Sequence, residues 1–110
     1  MPEWPSSPDA EPPPEVFHAL ADPIRRGLLE HLASGPSPPR VLARRMGLPR
    51  VTVSHHLRVL SLAGLIEQQH RRAAIRAQAL VRLRRYFDMA LTRAAITSPH
   101  QSRVWPTRHT

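Results

Sequence analysis

The chain has 110 residues, the length of one domain, and all 16 of its basic side chains are Arg. Against eight acids these leave a formal net charge of +8, which favours a phosphate-bearing partner. With no cysteine, disulfides, thiolate metal sites and a Cys nucleophile are excluded, and no apolar run approaches the ~18 residues of a membrane span.

The charge is uneven. Glu3, Asp9, Glu11 and Glu15 lie near the start, whereas from His31 onward only Glu67 and Asp88 oppose fourteen Arg. Residues 1–14 hold six Pro and no apolar periodicity, so they are expected to form a disordered acidic arm that is either an inert tail or a competitor for the basic face. This arm is no signal peptide, and a cytoplasmic location follows as the expectation. Residues 15–97 are expected to fold, and 98–110, with two Pro and two His, to be a disordered tail.

Val16, Phe17 and Leu20 predict a short first helix that ends near Ala21. Asp22-Pro23 restarts the chain, with Asp as N-cap and Pro at the first helical position, where its missing N–H costs nothing. Ile24, Leu28, Leu29 and Leu32 repeat at helical spacing until Gly35. Ser37 is the expected N-cap of a third helix carrying Val41, Leu42 and Met46, which Gly47 ends by supplying positive φ.

Pro49 starts the next helix, read as residues 50–63, and the pair forms a helix-turn-helix. Val53, Leu57 and Leu60 share one stripe that faces a core, while Val51, His55, Arg58 and Leu62 lie opposite, flanked by Arg50, Thr52 and Ser54. These are side chains that read DNA in the major groove: Arg binds guanine bidentately, Ser and Thr reach base edges or phosphates, and methyl groups meet thymine. His56, some 60° from the core stripe, is a half-buried packing residue or a phosphate contact.

After Gly64, residues 65–69 and 73–79 are expected to pair as a β-hairpin wing with His70, Arg71 and Arg72 at its tip, where Arg71 and Arg72 would hold phosphates. Leu80, Leu83, Phe87, Ala90, Leu91 and Ala94 then repeat at three and four, predicting an amphipathic last helix whose stripe packs against a second subunit. Its other face holds Arg82, Arg85 and Arg93. The expected fold is therefore mainly α with a small β-hairpin wing, a winged helix-turn-helix of about five helices. No Ser/His/Asp set, carboxylate pair or Gly-rich phosphate loop points to an enzyme. A basic RNA-binding protein is the reading from another class, and one Tyr and two Phe provide no platform on which bases could stack.

Two stretches resemble a known family. Ala19-Leu20-Ala21-Asp22-Pro23-Ile24-Arg25 is similar to the first helix junction of the ArsR/SmtB repressors. Val53-Ser54-His55-His56-Leu57-Arg58-Val59-Leu60, followed by Ala63-Gly64-Leu65, is similar to their recognition helix and its exit. The resemblance covers about residues 16–94. It implies a homodimer built from the first and last helices, here Val16, Phe17 and Leu20 with Leu83, Phe87 and Leu91, that represses from an imperfect palindrome until an inducer, often a metal ion, weakens the complex.

The family's metal sites are not intact in this sequence. The thiolate site near the third helix has no ligand in Pro38-Pro39-Arg40-Val41-Leu42, and on the last helix Asp88 is followed two residues later by Ala90 instead of His. His18, Asp88 and His100 remain as candidates, a set of imidazole and carboxylate that would suit Ni(II) or Zn(II). His18 and His31 otherwise read as structural histidines, and His70 as solvated or near phosphate. Without a site of its own, the repressor would take its signal from a partner regulatory protein or from its own abundance.

Overall fold

A computed structural model describes residues 4–97. Their element order is α1 (Pro14–Leu20), α2 (Pro23–Leu32), α3 (Pro39–Met46), α4 (Arg50–Leu62), β1 (Ile66–Gln69), β2 (Arg72–Ile75) and α5 (Ala77–Thr97). This is the winged helix-turn-helix expected from the periodicities, with five helices and one antiparallel hairpin. The expected tail at 98–110 lies outside the described residues.

Local chemistry sets the helix ends. The Asp22 carboxylate accepts from the N–H groups of Ile24 (2.7 Å) and Arg25 (3.3 Å), with Pro23 at the first helical position. Gly47 (φ 66°) closes α3, and the Leu48 N–H returns to the Ala43 carbonyl at 3.0 Å. The same device ends α4: Gly64 has φ 80°, and the Leu65 N–H bonds the Leu60 carbonyl at 3.0 Å. Val53, Leu57 and Leu60 turn inward and are fully buried with Val16, Leu28, Leu42, Leu65 and Ile66.

Ser37 does not cap α3. The N-cap is Pro38, whose ring has no acceptor and so makes no side-chain bond. Ser37 is instead buried and pairs with β2: its N–H donates to the Ala73 carbonyl (2.9 Å), and Ala73 returns the bond (2.8 Å). The connection before α3 thus becomes a third partner of the wing.

The hairpin register pairs Ile66 with Ile75 and Gln69 with Arg72, so the turn is only His70-Arg71, both with positive φ (52° and 63°). Two consecutive left-handed residues match strand twist in a two-residue hairpin loop. Arg72, expected at the tip, is the first residue of the return strand. That strand ends at Ile75 instead of residue 79, because α5 already begins at Ala77.

The residues expected at a dimer face differ in burial within the single chain. Val16 and Leu83 are 0 % and 7 % exposed and belong to the core of the single chain. Phe17 and Leu20 are half-buried against that core, whereas Phe87 and Leu91 stand 55 % and 67 % exposed.

Residues 4–13 contain no helix or strand, and they make side-chain contacts with the folded domain. The Trp4 Nε1–H donates to the Ala63 carbonyl (3.1 Å), and the Trp4 ring lies 5.4 Å beneath the Arg82 guanidinium. Arg82 also donates to the Ser7 carbonyl (2.6 Å), and two nitrogens of Arg85 reach Asp9 Oδ1 at 2.6 Å each. An aromatic ring that meets both a backbone carbonyl and a cation gains enough to hold a Pro-rich segment that buries little else.

Candidate nucleic-acid interface

With its inner stripe in the core, α4 presents Arg50, Val51, Ser54, His55, Arg58 and Leu62 to solvent. Thr52 is half-buried at the edge of this face. Val51, an apolar residue 82 % exposed, projects from the first turn of this face. At the wing tip Arg71 and Arg72 are likewise exposed. Between Pro39 and Ile75 seven Arg (40, 44, 45, 50, 58, 71 and 72) meet one acid, Glu67, so the helix-turn-helix and wing are strongly cationic.

Behind α4 sits a polar cluster that sequence patterning missed. Arg25 of α2 is buried, donating Nε–H to the Ala19 carbonyl (2.7 Å) and an Nη2 hydrogen to the His18 carbonyl (3.2 Å). Its Nη1 reaches His56 Nδ1 of α4 at 3.2 Å and lies 3.9 Å from Asp22. One side chain therefore satisfies the Ala19 carbonyl at the end of α1, adds a second bond to the His18 carbonyl that the Ala21 N–H already uses, and touches the helix that carries the exposed face. The only sequence signal was the place of Arg25 in the Ala19 to Arg25 motif. Desolvation acts to raise the Asp22 carboxyl, but the N–H groups of Ile24 and Arg25, then the charges of His56 and Arg25, outweigh it and hold the carboxyl below its ordinary value of 3.8. The stabilising charged form of this cap is thus present above that value and lost as pH falls through the depressed one.

Known proteins share this arrangement. A helix-turn-helix domain family matches residues 20–69. The HTH-type transcriptional regulator Rv2034 of Mycobacterium tuberculosis is 44 % identical over 54 residues, which are 49 % of this chain and 50 % of that one. The match thus spans half the length of that curated relative. A crystallised ArsR family transcriptional regulator superimposes with a TM-score of 0.62 at 27 % identity, covering 71 % of this chain and 90 % of that one. A possible transcriptional regulator for arsenical resistance does so with a TM-score of 0.59 at 32 % identity, covering 76 % of this chain and 95 % of the other. The chain belongs to the ArsR/SmtB family of winged helix-turn-helix regulators.

The described residues of this ArsR/SmtB chain do not bring the metal-ligand candidates together. Nowhere among these do three His, Asp or Glu side chains converge. His18 is exposed on α1, and Asp88 is exposed on α5 beside Arg84 (3.8 Å). The third candidate, His100, lies outside the described residues. Nor is any described helix of this ArsR/SmtB chain long and apolar enough to cross a membrane.

Proposed function

We propose that the chain is a homodimeric, sequence-specific DNA-binding repressor that reads a palindromic operator with α4. The carrying observation is the outer face of that helix: Arg50, Ser54, His55 and Arg58 are exposed together beside the cationic wing, while Val53, Leu57 and Leu60 anchor the opposite face in the core. Arg58 and its neighbours supply base contacts, with Thr52 at their edge, and Arg71 and Arg72 neutralise phosphates on the flanks. Dimerisation rests on the exposed stripe of α5, Leu80, Phe87 and Leu91, extended by Phe17 of α1, whose ring stands 6.5 Å from that of Phe87. A two-fold pair would present its α4 helices to successive major grooves, about 34 Å apart.

Titration of a labelled duplex from upstream of the gene tests this reading. It is expected to show saturation at two protomers per duplex and affinity well above that for a scrambled duplex. Equal affinity for both, or saturation at one protomer, would count against it. Adding stoichiometric Ni(II) or Zn(II) to the same titration tests the alternative reading, a metal-responsive repressor with a non-standard His/carboxylate site, in which metal shifts the curve. With the curve unchanged by metal, the signal for release would come from a partner protein or from protein abundance.

A further inference from the structure

Among the described residues, α5 is buried only near its base. The Arg76 N–H, just before the helix, donates to the Leu65 carbonyl (2.9 Å), and Ala79 and Leu83 of the first two turns join the core. The Phe17 ring of α1 adds a contact 5.8 Å from that of Tyr86. From Phe87 to Ile96 every residue is exposed. The direction in which this long helix leaves the domain is therefore decided by what touches its first three turns.

The arm touches them on a side that the core does not reach. At about 100° per residue, Arg82 and Arg85 lie on the flank of α5 opposite Leu80, Phe87 and Leu91. Trp4 meets this flank and the end of α4 at once. Its Nε1–H donates to the Ala63 carbonyl (3.1 Å), its ring lies 5.4 Å from the Arg82 guanidinium, and a Cβ on Gly64 would stand 2.7 Å from its Nε1. Ser7 and Asp9 continue the contact along the helix, each at 2.6 Å from Arg82 and Arg85 respectively. The Asp9–Arg85 pair is half exposed and worth little alone, whereas the indole combines a hydrogen bond, a cation–π contact and apolar contact with the core. Trp4 is thus the main fastening between the end of α4 and the first turns of α5.

We propose that Trp4 is a positioning residue that fixes the angle of α5 to α4, and through it the half-site spacing that the protein accepts. The inference rests on α4 as the reading helix and on dimerisation through α5. A helix of 21 residues is about 31 Å long, so a tilt of about 10° at its base moves its far end by about 5 Å, more than the roughly 3.4 Å rise of one base pair. In a two-fold pair joined through α5 both protomers contribute this displacement. With the angle fixed, the two α4 helices match one spacing of half-sites; with it loosened, they accommodate several.

The first test needs neither DNA nor a dimer. The chain has no cysteine, so spin labels at Glu30→Cys of α2 and Thr92→Cys of α5, both exposed positions, report one intrachain distance when labelled protein is diluted with unlabelled protein. Double electron–electron resonance should give a narrow distribution with Trp4 present and a shifted or broader one after Trp4→Ala. Trp4→Phe, which keeps a ring over Arg82 but loses the hydrogen bond, should fall between them. Distributions identical in all three overturn the proposal. The second test moves the half-sites of the operator apart by one base pair. Wild-type affinity should fall by about tenfold or more, and that of Trp4→Ala by about threefold or less. A purely structural role would weaken the variant by one factor on both duplexes and keep the spacing preference, which would overturn the proposal. If the wild type prefers no duplex over a scrambled one, the DNA reading fails, and the distance measurement still decides whether Trp4 sets α5.

Discussion

Arg71 occupies a backbone position that L side chains avoid. It follows His70 in a turn where both residues have positive φ, and neither is Gly or Asn. Each such residue costs on the order of 1 kcal/mol, which the surrounding ladder from Ile66 to Ile75 must offset. Strain kept at an exposed cationic tip fits a site held for contact and not for stability. Arg71→Gly is accordingly expected to raise the thermal midpoint, relieving about 1 kcal/mol, while weakening binding to every duplex and lowering the salt slope by about one. Melting curves and salt-dependent titrations check both signs. An unchanged slope would remove the wing from the interface.

At the scale of elements, α5 is the piece least secured by the core. Among the described residues it buries Ala79 and Leu83, and the apolar remainder of its stripe is exposed. The arm supplies what the core does not, through Trp4 and Ser7 on Arg82 and Asp9 on Arg85. Trp4 also seals the exit of α4, where a Cβ on Gly64 would stand 2.7 Å from Trp4 Nε1, so positive φ and close approach both require glycine there. Trp4→Ala should therefore destabilise the domain by about 2 kcal/mol, from a lost hydrogen bond, a cation–π contact and part of the ring's burial. Denaturant titration would show it, and an unchanged midpoint would mean that the arm contributes no stability.

The elements that were legible in the sequence are those fixed by neighbours along the chain. The Asp22-Pro23 cap, the glycines at 47 and 64, and the 3.6-residue stripe of α4 all act within a turn or two. What stayed hidden depends on distant partners: the pairing of Ser37 with Ala73, the 59-residue reach of Trp4, and the bridge from Arg25 to His56. Periodicity placed Val16 and Leu83 on apolar faces, but it carries no information on whether such a face covers its own core or a partner. The wing turn was obscured for another reason: His70-Arg71 adopts a conformation usually marked by Asn-Gly.

In the whole molecule these parts divide the work. The core of α1 to α4 holds one helix face outward, the wing extends the cationic surface beside it, and α5 projects an exposed apolar stripe, the proposed seat of a second protomer. Phosphate contacts from the many Arg would give affinity for any duplex, so affinity alone does not separate a sequence-reading repressor from a general nucleic-acid binder. Discrimination does. The decisive measurement is the ratio of affinities for operator and scrambled duplexes, at one salt concentration, in the wild type and in Arg58→Ala. The ratio should fall by about tenfold or more in the variant, the worth of one bidentate base contact, with a much smaller change on the scrambled duplex. Equal weakening on both duplexes, with the ratio preserved, would contradict the assignment of α4 as the helix that reads sequence.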